Sequence, residues 1–217
     1  MSRCGLREIG VAASLVLALG CGSGGARTRA VYLLVDTSGT YAKEVDKAKR
    51  IATYLLLELG AGDSLALGRI DSASFSEKNV VAKTRFDDRP SFANQQKRAF
   101  QRELDRFVRD TAGSGHTDIT GGVMQAAEWL RETGAERRTI LVFSDLEEDL
   151  RPGYVRDFGI DLAGIDLIAV NVTKLSSDQV DPRDYTSRLD RWGERVRQGG
   201  GSWQVLNDLE RLDRLLD

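Results

Sequence analysis

From Ala30 onward, short apolar runs alternate with segments of helical periodicity, and this alternation limits what the chain can fold into more than any other feature. Such a pattern is the signature of a mostly parallel sheet covered on both faces. Val31-Tyr32-Leu33-Leu34-Val35 is a continuous apolar run with β-branched residues, as a central strand buried on both sides requires. Tyr41 to Leu59 places Val45, Ala48, Ile51, Ala52, Leu55 and Leu59 at helical spacing, and Gly60 closes that helix. Ser64 to Asp71 reads as a second strand. Asn79 to Arg85 reads as a third, antiparallel at one edge because only a short turn-rich link separates the two.

Ser91 to Thr111 is expected to be helical, with Phe92, Phe100, Leu104, Phe107 and Val108 as its buried stripe. After a loop at 112–117, the pattern predicts a helix over Ile119–Thr133 and buried strands at Thr139–Ser144 and Asp166–Val172. A helix follows at Tyr185–Gln198, then a glycine turn at Gly199 to Gly201 and a short strand at Ser202–Val205. A terminal helix to Asp217 would carry Leu206, Leu209, Leu212, Leu215 and Leu216 on one face. The fold class is therefore α/β: a Rossmann-like three-layer sandwich, with a mostly parallel central sheet, one antiparallel edge strand and helices on both faces. With 217 residues, 41% hydrophobic and 29% charged, the chain suits one domain with a single core. Its formal charge of −2, with the two signs mixed along the chain, argues against a nucleic-acid footprint.

At the N-terminus, Arg3 and Arg7 precede an apolar stretch from Ile9 to Gly20 that ends at Cys21, the pattern of a secretory signal. The stretch is shorter than the roughly 20 residues a helix needs to cross a bilayer. Leu17-Ala18-Leu19-Gly20-Cys21 resembles a bacterial lipobox. That resemblance implies cleavage before Cys21, a lipid on its thiol and attachment to a membrane; a conventional cleaved signal and an uncleaved anchor are the alternatives. The expected division is a signal peptide over 1–20, a lipidated Cys and flexible tether over 21–29, and one folded domain over 30–217. Without residues 1–20 the chain carries 29 basic and 32 acidic residues. Cys4 would leave with the signal and Cys21 would carry lipid, so the domain keeps no thiol for a disulfide or a metal. Gly22 in place of Asp after the Cys resembles lipoprotein sorting signals that favour the outer membrane and its periplasmic face, where the organism is Gram-negative.

Polar residues sit where chemistry is expected. Asp36 ends the first apolar strand in Asp36-Thr37-Ser38-Gly39-Thr40, and Asp145 ends the run Thr139 to Ser144. Open α/β sheets bind ligands at the carboxyl ends of their strands. Two carboxylates there, with hydroxyls from Ser38, Thr40 and Thr117 on adjoining loops, form an oxygen-only donor set. Such a set suits Mg²⁺, Mn²⁺ or Ca²⁺ and disfavours Zn²⁺.

These residues resemble the metal-ion-dependent adhesion site of the von Willebrand factor type A domain: Asp36-x-Ser38-x-Thr40, Thr117 within Gly115-His116-Thr117-Asp118-Ile119, and Ser144-Asp145. The resemblance reaches Gly200-Gly201-Ser202-Trp203 and spans roughly Ala30 to Asp217. It implies that Ser38 and Thr40 bind the ion through their hydroxyls, that Asp36 and Asp145 hold metal-bound water or bind directly, and that Thr117 joins according to conformational state. It also implies a protein partner that supplies an Asp or Glu to an open position, in a docking device and not an enzyme.

Two departures stand out. Thr40 replaces the commoner Ser and keeps the hydroxyl. After Asp145, where the family often has Gly, comes Leu146-Glu147-Glu148-Asp149-Leu150, whose carboxylates would repel an acidic partner unless they point away or bind a second cation. Simpler readings stand beside these. Asp36 and Ser38 can cap the helix near Tyr41, Glu147 to Asp149 can be a solvated turn, and His116 can be an ordinary loop residue. The rival enzyme is a phosphatase of the haloacid dehalogenase type, with Asp36 as nucleophile and Mg²⁺ assisting. A serine hydrolase using His116 lacks the strand-to-helix setting of a nucleophile elbow. A structural domain with an empty site is the third class.

Overall fold

The computed structural model describes residues 27–39 and 41–216. The signal segment, Cys21, most of the tether and Thr40 lie outside the described residues. The sheet has six strands, β1 (Arg29–Asp36), β2 (Ser64–Ile70), β3 (Val80–Arg85), β4 (Arg137–Phe143), β5 (Asp166–Val170) and β6 (Ser202–Leu206), in the order β3-β2-β1-β4-β5-β6. All neighbours are parallel except β2 and β3. The antiparallel edge strand is therefore where the short link between β2 and β3 predicts it. Strand β1 begins at Arg29, inside the stretch expected to be tether. The Asp63 carboxylate accepts the Arg29 N–H at 2.8 Å and its Nη2 at 2.8 Å, which fixes the start of the strand.

Among the described residues, four α-helices complete the layers: α1 (Val45–Glu58), α2 (Pro90–Asp110), α3 (Ile119–Glu132) and α4 (Pro182–Gln198). Because side chains alternate across a strand, β1 feeds two cores. Val31, Leu33 and Val35 pack with Ile51, Leu55, Phe100 and Leu104 of α1 and α2. Tyr32 and Leu34 pack with Ile119, Val123 and Leu130 of α3 and with Trp192 and Val196 of α4. The sheet is thus covered on both faces, as the apolar runs require.

Several expectations need correction. The helix predicted from Tyr41 starts as a 3-10 turn, Tyr41–Glu44, and becomes α-helical at Val45. Phe92 is exposed beside the buried stripe of α2, its ring covered by the Arg89 guanidinium 3.8 Å from its centroid. No terminal α-helix exists among the described residues. Leu206 closes β6 opposite Val170, and a 3-10 turn, Leu212–Leu215, follows. A three-residue leucine spacing fits a 3-10 turn as well as an α-helix, so the leucines do pack on the α1 and α2 core, but without the helix.

Residues 144–165, which join parallel strands β4 and β5, contain no helix. Crossovers of this kind are usually helical, and a helix-free one leaves backbone carbonyls to be satisfied by other groups. One face of α4 satisfies several of them. Arg188 Nε donates to the Asp145 carbonyl at 2.8 Å, Trp192 Nε1 to that of Leu146 at 3.1 Å, and Arg195 to those of Arg156 and Phe158. The spacing of these three donors along α4 places them on one side of the helix.

Gly68 in β2 lets the buried Tyr32 ring lie against the backbone. A Cβ at that position would come within 2.8 Å of the ring and 2.7 Å of its hydroxyl. Tyr32 in turn packs edge-on to Trp129 at 5.6 Å, so it has little room to retreat. Gly68→Ala is expected to lower unfolding stability by about 1–3 kcal/mol through overpacking, read as a lower urea midpoint. An unchanged midpoint would mean that the ring gives way freely.

Candidate metal centre

Strands β1 and β4 run side by side with Val35 opposite Phe143, which puts Asp36 level with Ser144 and Asp145 one residue beyond. Asp36 is fully buried. Its Oδ1 accepts the N–H of Ser38 at 2.8 Å and its Oδ2 accepts the Ser144 hydroxyl at 2.7 Å. The Ser144 hydroxyl oxygen in turn accepts the N–H of Leu146 at 3.0 Å. Leu146 has φ of 65°, an uncommon backbone for a branched residue, and this turns the chain back over the strand ends. Asp145 Oδ1 accepts the N–H of Glu147 at 2.9 Å. Among the described residues, neither Asp145 Oδ2 nor the Thr117 hydroxyl has a hydrogen-bond partner.

The third loop is tied to the other two through its backbone. Ser114 N–H donates to the Thr37 carbonyl at 2.8 Å, beside Ser38. Thr117 exchanges two backbone hydrogen bonds with Asp149, at 2.7 and 3.1 Å. Asp36, Ser38, Thr117 and Asp145 are thereby gathered at one end of the sheet. Asp36 does not cap the helix after it: its carboxylate is used by Ser38 and Ser144, and α1 has no side-chain cap.

Both carboxylates resist ionisation. Burial pushes Asp36 above the ordinary carboxylate range, against the lowering effect of the Ser144 hydroxyl and of Ser38. Burial likewise pushes Asp145 up to about 6; the charge of Asp36 adds to this, while the Glu147 N–H and Arg188 oppose it. Among the described residues, no basic side chain forms an ion pair with either one.

The neighbouring acids are placed differently. Glu148 accepts the N–H of Thr120 at 2.7 Å and its hydroxyl at 2.9 Å, with Arg195 at 3.7 Å. Glu147 lies 3.6 Å from Arg188, and Asp149 contacts His116 at 2.9 Å on the surface. The acidic run that follows Asp145 is thus occupied by partners around the rim. Glu148 is partly buried and bonded, and so is not the solvated residue that a simple turn implies.

Two further ion pairs had no local sequence signal. Asp178, buried, pairs with both terminal nitrogens of Arg188 at 3.2 and 2.9 Å and is held below the ordinary carboxylate range by it. Asp118, next to Thr117 and fully buried, accepts Arg156 in bidentate fashion at 3.0 and 2.9 Å, together with the N–H groups of Ser74 and Gly121. Asp118 is the N-cap of α3, and its partner Arg156 lies 38 residues away. The glycine turn holds: Gly199 caps α4 and Gly200 has φ of 80°.

The donor set is oxygen-only, as the sequence implies. Among the described residues, no three His, Cys, Asp or Glu side chains are grouped to hold an ion. Any cation here would therefore rest on two carboxylates and several hydroxyls, a set that fits a hard divalent ion and not Zn²⁺.

No protein-family model and no curated protein sequence matches the chain. Solved structures do match in fold. A von Willebrand factor type A protein from Catenulispora acidiphila is similar over 87% of this chain and 40% of its own, with a TM-score of 0.54 and 13% identity. An aerotolerance-related membrane protein from Bacteroides fragilis is similar over 87% of this chain and 96% of its own, with a TM-score of 0.52 and 13% identity. The pilus adhesin SpaC from Lactobacillus rhamnosus GG is similar over 88% of this chain and 29% of its own, with a TM-score of 0.50 and 12% identity. The chain thus spans well under half the length of the first and third of these. The fold is that of the von Willebrand factor type A domain, as the motif order implies.

Because the Asp145 pKa is raised on folding from 3.8 to about 6, the metal-free fold favours its neutral form. Its ionisation therefore costs stability as pH rises from about 4 through about 6. In chelator, Asp145→Asn is expected to melt about 5 °C above the wild type at pH 7.5 and level with it near pH 4. A difference that does not change with pH would contradict this.

Proposed function

We propose that the chain is an exported, envelope-anchored protein-binding module that docks an acidic group of a partner on a divalent cation. Asp36, Ser38, Thr117 and Asp145 hold the ion; Thr40, the fifth residue of the motif, lies outside the described residues. The observation that carries this reading is a pair of buried carboxylates at adjoining strand ends, each pushed toward its neutral form and neither neutralised by a basic side chain. A cation supplies the missing charge and takes up the Asp145 oxygen and Thr117 hydroxyl that lack donors. Mg²⁺ is the first choice, with Mn²⁺ and Ca²⁺ compatible with the same oxygens.

Export and attachment through Cys21 rest on the lipobox-like segment. The membrane protein and the pilus adhesin that share the fold support an envelope setting. Among the described residues, no helix is long and apolar enough to cross a membrane. A phosphatase role for Asp36 is disfavoured by its burial, which leaves no surface for a phosphate ester to approach it. Turnover of an aryl phosphate with Mg²⁺ is expected to be absent.

Titration calorimetry with Mg²⁺ and Mn²⁺ tests the metal. The wild type is expected to bind, Asp36→Ala to lose binding, and stability to rise by about 2.7 kcal/mol at a hundredfold excess over Kd. No heat from the wild type, or equal binding by Asp36→Ala, overturns the metal reading. Capture of a protein from envelope extract in Mg²⁺, abolished by chelator, tests the docking role.

A further inference from the structure

Beside the metal centre runs a groove of about 540 Å³ with a basic and aromatic lining. Arg69, Lys78, Arg151 and Arg156 line it, with Phe75 and Tyr154 between them. Asp71 is the acidic side chain in the lining, and Arg69 pairs with it at 3.1 Å. Arg156 is spent on the buried Asp118. Lys78 and Arg151 are exposed and have no carboxylate partner among the described residues. Arg151 stacks on Tyr154 at 4.1 Å and hydrogen-bonds its hydroxyl, so its charge is held in place at the groove and does not sweep freely through solvent. Phe75 leaves nearly half its surface open.

This groove is continuous with the cation loops. Asp71 accepts the Ser114 hydroxyl at 2.8 Å, and Ser114 bonds the backbone beside Ser38. The Asp71 carbonyl accepts the N–H of Asp118, next to Thr117. Arg151 follows Asp149, whose backbone pairs with Thr117. A chain whose carboxylate reaches the cation would therefore lay its neighbouring residues along this groove.

We propose that the groove is the second half of the docking surface and takes an acidic, aromatic-bearing segment of a protein partner, its carboxylates meeting Lys78 and Arg151 and its rings meeting Phe75 and Tyr154. This rests on the metal reading and narrows it, since a lone carboxylate on an ion selects little, whereas a second and third charge set the register of the partner. A nucleic acid fits less well. Two unpartnered cations are few for a phosphate backbone.

The test measures fluorescence anisotropy of a short fluorescein-labelled peptide of alternating Glu and Tyr in Mg²⁺, against the wild type and Lys78→Glu/Arg151→Glu. Both substitutions lie on the surface, outside the cation loops. The double variant is expected to bind the peptide at least about tenfold more weakly, while calorimetry shows that it retains Mg²⁺ affinity. Equal peptide affinity in the two proteins, no peptide binding by the wild type, or tighter binding of an oligothymidylate than of the peptide overturns the groove assignment. Failure of the wild type to bind Mg²⁺ is a separate result and overturns the metal reading. Peptide binding that persists in chelator, yet is lost in the double variant, sustains the groove without the ion.

Discussion

Everything at the functional end of this fold depends on the burial of two carboxylates, Asp36 and Asp145, at the tips of adjoining parallel strands. Their donors are neutral: the N–H of Ser38, the hydroxyl of Ser144 and the N–H of Glu147. Neutral donors orient a carboxylate without cancelling its charge, and two such groups near each other in a poorly hydrated site oppose one another's ionisation. A chain selected for stability alone would place an Arg between them or replace one by an apolar residue. The persistence of an uncompensated pair is the strongest physical sign that something outside the chain completes the site.

The contrast with the surrounding acids sharpens that point. Asp178 has Arg188, Asp118 has Arg156, and Glu148 has Thr120 and Arg195. Arg188 links the two zones, since the guanidinium that neutralises Asp178 also donates to the carbonyl of Asp145. It thereby fixes the backbone of Asp145 without pairing with its carboxylate. Helix α4 is thus both a wall of the core and the support of the loop above it, with Arg188, Trp192 and Arg195 doing for the β4 to β5 link what an internal helix would have done for itself.

The legible part of this protein was the part governed by local pattern. Apolar runs located the central strands of the sheet, and the polar residues after β1 and β4 marked Asp36, Ser38 and Asp145 as neighbours at one end of it, because alternation and strand ends are short-range properties. The terminal leucines misled because a spacing of three fits two kinds of helix, and what decides between them is that Leu206 joins the sheet beside Val170. Phe92 misled because periodicity cannot show that an Arg three residues earlier covers its ring. The acidic run after Asp145 looked like a barrier to acidic partners. Its carboxylates turned out to be engaged by Thr120, Arg188 and His116, drawn from segments far away in sequence, and no local reading could have paired them.

The helix-free link from β4 to β5 also explains why the groove near Asp36 and Asp145 is basic although the chain as a whole is slightly acidic. A regular crossover helix would satisfy its own backbone and pack down on the sheet. An irregular one must be held by outside groups. Here the bond from Thr117 to Asp149 at one point and the clamp of Arg156 on Asp118 at another hold the intervening stretch at the carboxyl end of the sheet. Arg151 and Tyr154 lie between those two anchors and face the loop that carries Phe75 and Lys78. The same tie that holds Thr117 at the strand ends therefore positions a basic, aromatic wall next to it, so one piece of chain builds both.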